Sequence, residues 1–156
     1  MKRARFGFTM VETLVVMAVL VLVTTMAYPR ISRWRTGYEL RSAKQQVASA
    51  IATTRAAAVQ KGRPARFIVA GNVIRAVVDT NAAGATVTIV PPTDLQQTYG
   101  VTVVTQNIPG GELVYGSRGV IAPQAAMPRY YLTNSSGRDS LCVSGVGVLL
   151  KRGCIQ

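Results

Sequence analysis

The chain has 156 residues, enough for one domain of ordinary size plus a terminal segment, and its 18 Lys and Arg outnumber 6 Asp and Glu to give a formal charge of +12. Histidine is absent, so nucleophile systems that need a His base and zinc sites that need a His ligand are excluded. The acids Glu12, Glu39, Asp79, Asp94, Glu112 and Asp139 stand singly, with no sequence-near pair for general acid and base work, so the chain reads as a non-enzyme without a cofactor.

Met1 to Gly7 carries Lys2, Arg3 and Arg5 and no acid, which reads as a cytoplasmic leader over residues 1–7. The 21 residues from Phe8 to Tyr28 are uncharged apart from Glu12. As a helix they would extend ~31 Å, the thickness of a hydrocarbon core, so residues 8–28 are expected to form a transmembrane or filament-core helix. A carboxylate in lipid costs on the order of 2.5 to 3.5 kcal/mol, which marks Glu12 as a functional candidate. Free N–H groups and the macrodipole favour an acid in the first helical turns. Gly7, the small residue of a cleavage site, precedes the apolar run, so cleavage there would retain the helix.

Pro29 removes one backbone donor and is expected to kink or loosen a helix that continues beyond it. From Tyr38 to Lys61, Leu40, Val47, Ile51, Thr54 and Ala58 recur at helical spacing and predict an amphipathic segment within residues 29–62. Gly62 supplies a C-terminal cap and Pro64 forbids continuation. An unbroken helix from Phe8 to Lys61 would be ~80 Å long, with Gly37 leaving room for a bend.

Residues 63–156 change to strand character. Ala65 to Val69 and Val73 to Val78 flank Gly71-Asn72 and read as a hairpin. Thr86 to Val90, Val101 to Thr105, Leu113 to Tyr115, Tyr130 to Thr133, Leu141 to Ser144 and Val148 to Leu150 are further β-rich runs, and Pro91 to Gly100 reads as a loop. The expected class is α+β, a long N-terminal helix whose exposed half packs against antiparallel sheet. Asp79-Thr80-Asn81 opens like a calcium loop but lacks the later carboxylates, so a turn closed by its own side chains is the better reading.

Cys142 and Cys154 are the only thiols. One disulfide fits a chain whose body is exported, and closing so short a loop would stabilise it by about 3 kcal/mol; a redox or metal role lacks the Cys-x-x-Cys spacing. Arg30, Arg33 and Arg35 follow the apolar run, where they would reach lipid phosphates. Lys61, Arg63, Arg66, Arg138, Lys151 and Arg152 belong to the body, as a phosphate-binding patch or as solubilising charge.

Arg5-Phe6-Gly7 and Phe8-Thr9-Met10-Val11-Glu12-Thr13-Leu14, with the apolar run, resemble a type IV prepilin N-terminus. The resemblance implies cleavage after Gly7 by a prepilin peptidase, N-methylation of Phe8, and use of Glu12 to neutralise the terminal amine of a neighbouring pilin during filament assembly. Glu39-Leu40-Arg41-Ser42-Ala43, Arg55-Ala56-Ala57-Ala58-Val59, Val78-Asp79-Thr80-Asn81, Tyr115-Gly116-Ser117-Arg118-Gly119 and Cys142-Val143-Ser144-Gly145 are similar to the GspH/FimT group of minor pilins and pseudopilins. That likeness implies a low-abundance subunit that assembles into, initiates or caps a type IV pilus or a type II secretion pseudopilus. The basic leader and the apolar helix predict a single-pass inner-membrane protein whose C-terminal domain lies in the periplasm, part of an extracellular or periplasmic filament once assembled. Some members of that family bind DNA through Gly-Arg-x-Arg; here Gly137-Arg138-Asp139-Ser140 departs from it, and Arg138, Lys151 and Arg152 are the candidates for a DNA-receptor alternative.

Overall fold

The computed structural model describes residues 9–80, 84–123, 126–150 and 154, with the backbone alone for residues 26–33. Helix α1 covers Met10–Lys61. The chain divides into two compact units, Met1–Arg35 and Thr36–Gln156, and α1 contributes to both.

In the first unit α1 begins at Thr9, whose hydroxyl accepts the Glu12 N–H at 3.2 Å while its carbonyl accepts the Thr13 N–H at 3.2 Å. Thr9 is therefore the N-cap and Glu12 the third helical residue, the positions of a Thr-x-x-Glu capping box. Beyond the cap the apolar side chains Met10, Val11, Leu14, Val15, Val16, Met17 and Val19 to Val23 are all exposed, from 48% to 83%.

The expected membrane span over residues 8–28 is corrected. Among the described residues no helix is long and apolar enough to cross a membrane. Glu12 and Arg30 bracket 17 uncharged residues, about 26 Å of helix against a hydrocarbon core of ~30 Å, and Thr13, Thr24, Thr25 and Pro29 lower the apolarity of that stretch. The transmembrane helix, the single-pass inner-membrane location and the periplasmic domain inferred from that helix are corrected with it. Helical backbone continues through Pro29.

In the second unit one stripe of α1 is buried: Leu40, Ala43, Val47, Ala50, Ile51, Thr54 and Ala58. Their spacing of mostly three or four places them on one face. Thr54 is tolerated there because its hydroxyl donates to the Ala50 carbonyl at 2.7 Å. The helix ends where the sequence places its cap, with the Gly62 and Arg63 N–H groups donating to the carbonyls of Val59 and Ala58.

Two antiparallel sheets supply the rest of the core. Strands β1 (Ala65–Ala70), β2 (Val73–Asp79), β3 (Thr86–Asp94) and β5 (Glu112–Tyr115) form one sheet in the order β3-β2-β1-β5. Strands β4 (Thr102–Gln106), β6 (Arg129–Asn134) and β7 (Gly137–Cys142) form the other in the order β4-β6-β7. The alternate residues Ala65, Phe67 and Val69 of β1 are buried, and so are Tyr130 and Leu132 of β6. Phe67 and Tyr130 meet edge to face with ring centroids 5.7 Å apart. Asn72, in the β1–β2 turn, links the sheets: its side-chain oxygen accepts the Val103 N–H at 3.0 Å and its carbonyl accepts the Leu95 N–H at 3.0 Å.

Three polar ties fasten α1 within this unit. Asn134 Nδ2 donates to the Thr36 carbonyl, Lys44 Nζ meets Asp139 Oδ1 at 2.7 Å, and Arg55 Nε donates to the Gly119 carbonyl at 2.8 Å. Their order along the helix follows β6, β7 and the turn after β5.

Three local expectations change. Residues 91–100 are not a loop: β3 continues to Asp94 and a short helix α2 (Leu95–Tyr99) follows. Pro91 and Pro92 survive in β3 because it is an edge strand with a register shift opposite Ala76, so their missing N–H groups break no essential ladder. Asp94 starts α2 by accepting the N–H groups of Gln96 and Gln97. β7 begins at Gly137, earlier than Leu141, and Val148 to Leu150 makes only the isolated bridge Val143↔Leu149.

The core contains two contrasting tyrosines, both fully buried. Tyr115 donates its hydroxyl to the Gly147 carbonyl at 3.0 Å, whereas the Tyr130 hydroxyl has no partner among the described residues. Tyr115→Phe is expected to destabilise the domain by about 1 to 2 kcal/mol, because it orphans a buried carbonyl, while Tyr130→Phe should leave stability unchanged or raised. Chemical denaturation of the two variants checks the order; the reverse order would contradict this assignment of bonds.

Candidate assembly site

The sequence candidates fall in three places. Gly7 and Phe8, the expected cleavage and methylation positions, lie outside the described residues, as do Lys151 and Arg152. Glu12 sits in the first turn of α1 with its N–H capped by Thr9. The free N–H groups of that turn and the macrodipole favour its charge. No cation is paired with it among the described residues.

The polar side chains near Glu12 are turned into the helix. Thr13 donates to the Met10 carbonyl, Thr24 to those of Leu20 and Val21, and Thr25 to that of Leu22, each at 2.9 Å. These bonds satisfy hydroxyls that would otherwise be costly in apolar surroundings. From Met10 to Thr25 the helix therefore presents apolar surface on every side, with one carboxylate at its start.

At the far end of the chain, Cys142 and Cys154 are joined as a disulfide with Cα atoms 5.4 Å apart. The bond ties the C-terminal segment to the end of β7 and leaves neither thiol free for redox or metal chemistry. Arg138 lies at the opposite end of β7, its guanidinium 3.9 Å above the Tyr131 ring. Neighbouring Asp139 is taken by Lys44.

Asp79, the first residue of the turn that resembles a calcium loop, pairs with Arg66 at 3.4 Å, and Arg66 also meets Glu112 at 3.4 Å. The Thr80 N–H and hydroxyl both donate to the Ala85 carbonyl, closing the turn. Asn81 lies outside the described residues. Among the described residues no group of three or more His, Cys, Asp or Glu could hold a metal ion.

Two features of this region went unread in the sequence. Thr9 and Glu12 spell the capping box, a signal visible in the order of residues. Arg55 entered the sequence reading only within a family likeness: folding brings it to the Gly119 carbonyl and to the electrostatic neighbourhood of Tyr115, whose pKa is pushed up to about 12 by burial, with the Arg55 charge opposing.

Residues 2–28 match the prokaryotic N-terminal methylation motif. No curated protein sequence matches the chain. The structure is similar to two crystal forms of the type IV minor pilin FimU of Pseudomonas aeruginosa. One has a TM-score of 0.57 at 16% identity, with 76% of this chain and 96% of that chain covered. The other has a TM-score of 0.53 at 14% identity, with 74% and 99% covered. The chain has a type IV pilin-like fold.

Proposed function

We propose that the protein is a minor pilin or pseudopilin of the GspH/FimT kind, a subunit that assembles into, initiates or caps a type IV pilus or type II secretion pseudopilus. One observation carries this reading: a capped helix whose exposed surface is apolar on all sides and whose hydroxyls are internally bonded, with a single acid in its first turn. Such a surface is stable only when neighbours cover it, since burying each Val or Leu side chain is worth roughly 1.5 to 3 kcal/mol. The methylation motif and the pilin-like fold supply the context.

The mechanism is association. A prepilin peptidase cuts after Gly7, and Phe8 receives the new amino terminus and its methyl group. The helix then packs among the helices of other subunits. Burying Glu12 alone would cost several kcal/mol, so it demands a cation, and the amine of an adjacent subunit provides one. This requirement makes Glu12 a device for register: apolar contact drives assembly, and the buried charge permits only those alignments that pair it.

Glu12→Ala is expected to reduce incorporation into filaments by at least about tenfold, the equivalent of ~1.4 kcal/mol, while the isolated domain unfolds as before. Immunogold counting on sheared filaments, alongside denaturation of the purified protein, measures both. Wild-type incorporation of the alanine variant would refute the role given to Glu12.

The DNA-receptor alternative has no comparable support. Arg138 is stacked on Tyr131, the described residues bring no second arginine into a motif with it, and a charge of +12 alone gives only salt-sensitive, nonspecific attraction.

A further inference from the structure

In the second unit, α1 and the segment after β7 enclose an open groove of about 630 Å³. Ile51, Arg55 and Val59 form one wall; Gly147, Val148 and Leu149 form the other. Val59 and Val148 are 54% and 41% exposed, so apolar surface at both lips stands open. Among the described residues Arg55 is the only charged residue of the lining, and its Nε is committed to the Gly119 carbonyl. That bond fixes the guanidinium, while no carboxylate is paired with it among the described residues.

The groove and the N-terminal part of α1 are complementary. The groove is apolar with one uncompensated cation; the helix is apolar with one uncompensated anion. Glu12 shares a helix face with Val15, Val16 and Val19, three to seven positions on, and these valines are exposed at 58%, 48% and 51%. We infer that the groove receives this face of α1 from a second copy of the chain, with the Glu12 carboxylate set against the Arg55 guanidinium and the valines between Val59 and Val148.

A second copy is the occupant because the exposed apolar face that carries Glu12 is stable only when neighbouring subunits cover it. The contact rests on the assembly reading above and names its partner surface. It does not displace the amine of an adjacent subunit, since an ionised carboxylate accepts up to about four hydrogen bonds and can serve a cation from each of two neighbours. Arg suits the role because its planar fork binds carboxylate bidentately and stays charged when partly desolvated.

The test uses the full chain, expressed with its filament machinery, carrying a photo-crosslinking side chain at Val59. Mixing it with isotopically heavy wild-type chain marks the crosslinks that join two copies. The expected product joins Val59 of one copy to residues 11–19 of another. Arg55→Glu should reduce that crosslink by on the order of tenfold. Because Arg55 also holds Gly119, Val59→Asp provides a second variant that keeps the arginine and adds an acid facing Glu12; it should weaken the crosslink formed by a probe moved to Val148. Normal incorporation with crosslinks confined to other regions would overturn the groove contact and leave the assembly reading intact. Loss of neither crosslink nor incorporation in Arg55→Glu would likewise overturn it. Wild-type incorporation of Glu12→Ala, measured separately, is the result that removes the assembly role of Glu12 itself.

Discussion

Replacing Gly111 by alanine is expected to destabilise the domain by about 3 to 5 kcal/mol, a large part of the roughly 5 to 15 kcal/mol that holds an ordinary domain folded. Gly111 ends the turn Pro109–Gly111 that feeds β5, with φ at +70°, where a side chain is already strained. A Cβ there would collide with the Val69 carbonyl oxygen. That atom is backbone of β1, whose pairing with β2 places Val69 opposite Ile74, while Ile68 opposes Glu112 of β5. The collision cannot be relieved by turning a flexible side chain; the β1–β5 junction itself must shift. Gly110 is the internal control, because it has φ +64° but nothing within 4 Å of an added Cβ. Gly110→Ala should cost only the backbone term, about 1 to 2 kcal/mol. Urea denaturation of the two variants decides the matter, and equal losses would show that the close approach to Val69 is not what requires glycine.

Raising the pH above 10 is expected to unfold the second unit well before the backbone suffers base damage. Burial pushes the Tyr115 pKa up from 10.0 to about 12, against the opposing charge of Arg55. Tyr130 is raised further, by burial first and by Tyr115 second. Both folded-state values lie above the unfolded value. The neutral phenols therefore contribute their full stability below pH ~10, and that stability is lost as pH rises from the unfolded value through the folded one. For Tyr115 the loss by pH ~12 is about 3 kcal/mol, and Tyr130 adds to it in the same direction. Acidification does not touch this contribution. Circular dichroism followed from pH 8 to pH 12 should show a cooperative alkaline transition, displaced to higher pH in Tyr130→Phe. A transition that begins below pH 9, or one unmoved by Tyr130→Phe, would be incompatible with these two phenols as its source.

Much of the architecture was legible because its signals are local. The stripe Leu40, Val47, Ile51, Thr54 and Ala58 repeats at the period of an α-helix, and all five residues are buried. Gly62 and Pro64 ended the helix through backbone conformation alone. The Gly71-Asn72 turn showed the β1–β2 hairpin, because turn chemistry needs only the residues of the turn. The miss at residues 91–100 has a physical cause: adjacent prolines look like loop, and they are admissible in a strand only at an edge, which is a property of strand order and not of the segment.

The membrane-span expectation failed for a different reason. Averaging the composition over residues 8–28 passes over Glu12 at one end and Arg30 just beyond the other, and among the described residues no helix is long and apolar enough to cross a membrane.

Order of residues alone determined the helix cap at Thr9, the acid three positions later, the apolar run, the amphipathic stripe and the pairing partners available to two cysteines. Each depends on atoms within a few positions along the chain, or on there being no other choice. Tertiary structure decided that two sheets share one core through Asn72, that Tyr115 finds the Gly147 carbonyl while Tyr130 finds no partner among the described residues, and that Arg55 stands in an apolar groove. Those outcomes depend on which distant segments come into contact, and the energy of a buried polar group is set by the partner that contact supplies.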